Sequence, residues 1–215
     1  MSIFKYSSDL RRAFLYKKFK FYLMRLLKDL ILNPVIAIKE AKRKKDINKS
    51  FTVLLINSIL LLVSFCLLTY SSSLTPVYSI AIPLSIFIGN IFGVILFGFF
   101  LQLVFSILGG KGKFYEGLTS ISYAQFPLSL ALFVSSIFFK IPGIGVILSL
   151  VLLTVFGLIS VSSFLRAIKE FFEVDWIVIW IGIGIIAIAL AIAIYSTLFC
   201  LALSKPSLLA ALISK

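Results

Sequence analysis

From Ser50 to Gly110 the chain runs for 61 residues without one charged side chain. A bilayer core about 30 Å thick takes about 20 helical residues, so this run is too long for one spanning helix and fits two helices with a turn. Ser71, Ser72, Ser73, Pro76 and Pro83 supply turn chemistry, and Pro83 suits the first turn of the second helix. The spacing predicts helix one at Phe51 to Thr69 and helix two at Pro83 to Leu108. Three more charge-free runs follow, Gly117 to Phe139, Ile141 to Leu165 and Trp176 to Ser204, each long enough to span.

The expected fold is therefore all-α and polytopic: five transmembrane helices over residues 50–204, a basic arm over 1–49 and a short tail over 205–215. Composition agrees, with 61% hydrophobic residues, 13% charged ones and a mean hydropathy of +1.14. A water-soluble domain with these values would need an apolar surface. Large aliphatics alternate with Ala in places over Ile183 to Ile194. That period suits a strand, but an unpaired strand in lipid leaves its backbone unsatisfied, so a helix is expected there. The many polar-alternating strands of a transmembrane barrel are missing from the sequence.

Charge placement orients the spans. Of the 21 Lys and Arg, 14 lie between Lys5 and Lys49. With that arm in the cytoplasm, Lys111, Lys113, Arg166 and Lys169 also fall inside, and only Lys140, Lys205 and Lys215 fall outside. The positive-inside rule thus predicts a cytoplasmic N-terminus and an outer C-terminus. Trp176 and Trp180 would anchor the inner interface, and Tyr70 and Tyr78 the outer one. A multi-pass protein of the cell membrane is the expected setting, or of an endomembrane if the source is eukaryotic. No cleaved signal is expected, because the first apolar run begins only at Phe51 and is too long for a signal core. Cys66 and Cys200 fall within apolar spans, where a thiol behaves as a small hydrophobe; a disulfide between them is the alternative.

Within the arm, Leu15, Tyr16, Phe19, Leu23, Leu26, Leu27 and Leu30 recur at the spacing of one helical face. Arg11, Lys17, Lys18, Arg25 and Lys28 gather opposite. Such a helix lies in the headgroup plane with its cations on anionic lipid, at about 1 kcal/mol per basic residue. Asn33 and Pro34 end it and start a second helix, which closes on the polybasic run Lys42, Arg43, Lys44 and Lys45. The expected partners are the bilayer and its anionic headgroups, together with a membrane-protein partner or a second copy of the chain. A basic patch without a recognition motif does not indicate nucleic acid.

Catalytic chemistry has little to work with. The chain contains no His, the commonest metal ligand and general base, and two Cys alone do not make a zinc site. No cofactor is expected. None of the five predicted spans contains an acid or base, which argues against ion-coupled transport. Asn57, Gln102, Gln125 and Ser160 enter the inner halves of their spans as a candidate polar cluster, with Asn90 apart from them in the outer half of helix two. Two readings stay open: interhelical hydrogen bonds, worth about 0.6 kcal/mol each on average, or the lining of a cavity. Gly89 and Gly93 form a small-residue pair suited to close helix packing, and Pro127 is expected to kink helix three. The acids Glu170, Glu173 and Asp175 either pair with the basic arm or form a solvated loop.

The loop Gly109-Gly110-Lys111-Gly112-Lys113-Phe114 lacks the spacing of a nucleotide-binding loop. Together with Tyr123 downstream, Pro127 four residues after that tyrosine, and Leu32-Asn33-Pro34 upstream, it resembles the Yip domain family, five-span membrane proteins named for interacting with Ypt/Rab GTPases. The resemblance covers Ile31 to Leu203. Ser122 stands where many members have Gly, and the acidic N-terminal motif of trafficking members is missing. The resemblance implies a prokaryotic-type member acting as a non-enzymatic membrane organiser or interaction scaffold. The alternative is a transporter or channel for a neutral or lipidic substrate.

Overall fold

The computed structural model describes residues 28–30, 33–44, 47–70 and 76–204, with side chains up to about residue 193. Among the described residues, α1 (Pro34–Lys44), α2 (Ile47–Tyr70), α3 (Pro76–Ile107), α4 (Phe114–Phe138), α5 (Ile144–Phe172) and α6 (Trp176–Ser204) follow one another. The last five are long and apolar enough to cross a membrane, so the chain is a multi-pass integral membrane protein built from helices. Residues 28–30 are helical. The rest of the amphipathic segment, including Arg11, Lys17, Lys18 and Arg25, lies outside the described residues, as do Lys45 and the tail.

Helix α4 is the axis of the bundle, packing against α2, α3 and α5. It is the least apolar of the five spans and the most buried. Its inward positions include Thr119, Ser120, Ser122, Ser129, Ser135 and Ser136, beside Gly117 and Ala124, with Leu118, Tyr123 and Phe126 as the large residues among them. Lipid reverses the pressure felt by a soluble protein: large aliphatics gain nothing by leaving it, whereas small and hydroxylated residues gain close packing and hydrogen bonds inside. Accordingly Phe92 and Leu96 of α3, Leu158 of α5 and Ile188 of α6 are exposed. Helix α6 touches the bundle mainly through Ile179, Gly182 and Ile186, with Gly182 against the ring of Phe105.

The second span begins at Pro76 and not at the expected Pro83, which lies buried inside α3. Both prolines meet first-turn chemistry on paper, but only Pro76 sits where no intrahelical donor is lost. Pro83 removes the amide that would serve the Ser79 carbonyl four residues back. The Thr69 hydroxyl of α2, whose nearest acceptor is the Phe65 carbonyl of its own helix at 2.8 Å, also lies 3.1 Å from the Ser79 carbonyl, so its one proton compensates the proline only in part. Pro127 likewise lies within the continuous helix α4, buried. At the fourth span, α5 runs on through Arg166, Lys169 and Glu170 to Phe172, so these residues form its last turns and not a loop.

Helices α3 and α4 approach each other at Gly98 and Gly117. A Cβ on Gly117 would lie 2.6 Å from the Gly98 carbonyl oxygen, and one on Gly98 3.1 Å from the Leu118 nitrogen. The Gly89 and Gly93 pair does no such work within the chain, since a Cβ on either would meet nothing within 4 Å.

Candidate functional site

Two regions carry organised polar chemistry. The first lies midway along the spans. Gln125 of α4 donates its amide to the Asn90 carbonyl at 2.5 Å, Asn90 donates to the Ser58 hydroxyl at 2.9 Å, and Ser58 donates to the Leu54 carbonyl at 2.9 Å. One relay thereby links α4 to α3 and α3 to α2. Asn57, wholly buried, donates to the Ser122 carbonyl at 2.7 Å, and Ser160 of α5 donates to the Ala124 carbonyl at 2.6 Å.

Of the four residues expected to cluster, Asn57, Gln125 and Ser160 converge on α4. Gln102 does not join them and makes no hydrogen bond among the described residues. Asn90 takes its place. The longer α3 puts Asn90 near its middle, level with Gln125, whereas Gln102 lies twelve residues on, about 18 Å along the axis. The Asn57 and Gln125 side-chain oxygens are buried without a hydrogen-bond partner.

Beside this relay a groove of about 500 Å³ runs between α3 and α5 with α4 as its floor. Gly89 and Gly93 open one wall beside Asn90, Gln125 and Ser160 add the other polar groups, and the rest is apolar. The Phe97 and Phe164 rings, 6.4 Å apart, bridge α3 and α5 at one end. Asn57 does not line the groove.

The second region is the basic end of the bundle. Helix α1 is not adrift: Ala37 and Ile38 are buried in the core shared with Ala167, Ile168, Phe171 and Phe172 of α5, and Leu30 joins them. Lys42 donates to the Glu173 carboxylate at 2.9 Å and to the Glu170 carbonyl. Lys39 lies 3.9 Å from the Glu170 carboxylate, and Lys111 3.7 Å from that of Glu173. The acidic end of α5 therefore pairs with α1 and with the glycine loop. Lys42, expected on lipid, is instead half-buried in this contact with the α5 terminus; Lys28 and Arg43 remain exposed. The Lys44 side chain lies outside the described residues.

Glu173 caps α5 with a left-handed backbone (φ 56°), its N–H returning to the Lys169 carbonyl. This conformation is unusual for a residue with a Cβ. The Lys42 hydrogen bond and charge, then the Lys111 charge, hold its carboxyl below the usual carboxylate range.

The glycine loop proves structural. Gly109 (φ 88°) ends α3, and the Gly110 N–H reaches back to the Phe105 carbonyl at 2.7 Å while Gly109 bonds Ser106 at 3.2 Å, the paired bonds of a Schellman cap. Lys111 N–H then donates to the Phe172 carbonyl at 3.0 Å. A Cβ on Gly112 would fall 2.3 Å from the Phe172 ring. These glycines seat the loop against the α5 terminus, with the Phe105 and Phe172 rings 5.1 Å apart beneath. Glu116 then starts α4, its carboxylate accepting the Lys113 backbone N–H at 2.7 Å and the Tyr115 hydroxyl at 2.8 Å. This buried acid lies just outside the predicted span and inside the observed helix. Tyr123 and Pro127 are buried on α4.

Cys66 is a free, exposed thiol; the Cys200 side chain lies outside the described residues. Comparison with curated proteins and with solved structures returns no match. A family model described as the Yip1 domain matches residues 28–198, from the end of the amphipathic segment through most of α6. The glycine cap, the docked α1, four spans and most of the fifth fall within that match, and the chain belongs to the Yip1 domain family.

Proposed function

We propose that this protein is a non-enzymatic membrane-organising or protein-interaction scaffold whose basic face lies at the anionic cytoplasmic headgroups. The carrying observation is the docking of α1: Ala37 and Ile38 in the core and Lys42 on Glu170 and Glu173 make the start of the basic arm part of the bundle. A polybasic segment held at one end of five spans presents its free cations in one plane, the arrangement that attracts anionic lipid. In this reading residues 1–49 form the arm, 50–204 the embedded domain and 205–215 an outer tail. Arg11, Lys17, Lys18, Arg25, Lys28, Arg43, Lys44 and Lys45 meet headgroups. The N-terminus is cytoplasmic and the C-terminus outside. A membrane-protein partner or a second copy completes the assembly.

The test reconstitutes the full chain in vesicles of neutral or anionic lipid and follows amide exchange over residues 11–45. Protection that requires anionic lipid and fades with salt supports the reading; equal protection in both vesicles refutes its electrostatic part. Copurification of a stoichiometric partner from native membrane tests the scaffold role.

The groove favours a second reading, transport of a neutral or lipidic substrate, because it offers a few polar groups at membrane depth in an apolar wall. Flux of such a substrate across reconstituted vesicles, abolished by filling the groove with Gly93→Leu, would establish it in place of the scaffold.

A further inference from the structure

A smaller cleft, of about 200 Å³, opens between α1 and the turn from α5 to α6. Val35 and Ile38 of α1 form one apolar wall, Trp176 of α6 forms another, and Arg166 and Lys169 supply cations. Arg166 and Lys169 are three apart on α5 and so share a face. The Lys169 ammonium stands 4.9 Å from the Trp176 ring centroid, and Arg166 makes no ion pair among the described residues. Glu170, the acid at the rim, faces Lys39 through its carboxylate and Lys42 through its carbonyl.

The cleft thus joins two cations without an acid of their own to an apolar back wall, beside a tryptophan suited to the headgroup level. Arg matches the oxygens of a phosphate with its planar fork, and Lys adds a point charge. A free anion would use only the cations. A lipid phosphate also uses the walls, and its chains have a continuation along Ile177 and Trp180, which are exposed on α6. The volume is below the roughly 300 Å³ at which sites for whole drug-sized ligands begin, which suits a headgroup whose chains remain in the bilayer. We propose that this cleft binds the phosphate of an anionic phospholipid, with Arg166 and Lys169 as its cationic ligands and Trp176 against the glycerol region. The assignment rests on the reading that the basic face lies at anionic headgroups, and adds a defined site to it.

The test uses the full chain carrying Trp180→Phe, which leaves Trp176 as the sole tryptophan. It is reconstituted in phosphatidylcholine vesicles containing increasing fractions of phosphatidylglycerol with brominated chains, and Trp176 quenching is read. Quenching should saturate at a low fraction of the anionic lipid. Arg166→Gln and Lys169→Gln should each raise the half-saturating fraction about fivefold, and together about 25-fold. Arg166→Lys should restore most of the response, and Lys140→Gln, at the other end of the bundle, should leave it unchanged. If the Trp180→Phe reference prefers anionic lipid in a salt-dependent way but the Gln variants made in it match it, the cleft is refuted and general adhesion stands. Should that reference show no preference, both fail. Displacement of the lipid by millimolar inorganic phosphate would assign the cleft to a free anion and overturn the lipid assignment.

Discussion

Gly117→Ala isolates the close approach of α3 and α4. The added methyl would sit 2.6 Å from the Gly98 oxygen, 3.3 Å from its carbonyl carbon and 3.4 Å from its Cα. The first distance falls short of an unstrained contact by about 0.9 Å. All three atoms are backbone, so no rotamer change relieves the overlap, and α3 must move away from α4. A gap of 0.5–1 Å forfeits about a quarter to a half of each contact it opens, and overpacking of this kind costs about 1–3 kcal/mol. About 2 kcal/mol, a roughly 30-fold shift in the unfolding equilibrium, is the expected loss. It is measured as helix loss during reversible unfolding in mixed micelles of a mild detergent and dodecyl sulfate. Gly89→Ala and Gly93→Ala provide the contrast: both positions are open, so both variants should be neutral or slightly stabilising. A Gly117→Ala protein as stable as wild type, or equal losses at Gly89 and Gly93, would refute the assigned crossing.

Thr69→Val removes a hydroxyl shared between the Phe65 carbonyl and the Ser79 carbonyl and should cost about 0.6 kcal/mol in the same assay. Part of that loss should vanish in a Pro83→Ala background, where residue 83 regains its own donor; an undiminished loss rejects the compensation. Asn57→Leu deletes one hydrogen bond and one orphaned oxygen together, so its net effect should stay within about 1 kcal/mol; a loss above about 3 kcal/mol would mean that the amide has an essential role. For Glu173, the folded-state pKa lies below the ordinary 4.5. Its stabilising contact is therefore complete above pH 4.5 and is lost as pH falls through the lowered folded value. Amide exchange in α1, corrected for intrinsic rates, should stay slow at pH 5 and rise only below the usual carboxylate range, and Glu173→Gln should abolish that dependence.

The spans were legible because lipid imposes a length and a polarity that any charge-free run displays. Their interior faces were not. A helix apolar on all sides carries no stripe from which to read its partner, so Gly89 and Gly93 drew notice while Gly98 and Gly117, which meet only across two helices, did not. Asn90 was misplaced for a related reason: moving the start of α3 from Pro83 to Pro76 lowers it to the level of Gln125. The Ser79 carbonyl that Pro83 leaves without its helical donor meets Thr69, a residue on another helix that the sequence does not point to. At the basic end, the acids of α5 and the lysines of α1 were visible as candidates for pairing, but choosing Lys42 over its neighbours required the angle at which α1 docks.

Placing the least apolar span at the centre also constrains how the protein is made. Helix α4 enters the membrane with the weakest hydrophobic drive of the five, yet it emerges after α2 and α3. The Ser50 hydroxyl, 2.6 Å from that of Thr119, the Asn57 amide and the Asn90 carbonyl are then already in place to receive it. The bonds exchanged between Ser135 and Ser149 and the one from Ser160 await α5. Chain order thus lets each polar side of α4 leave the lipid almost as soon as it arrives, and a circular permutation that delivered α4 first would strand it.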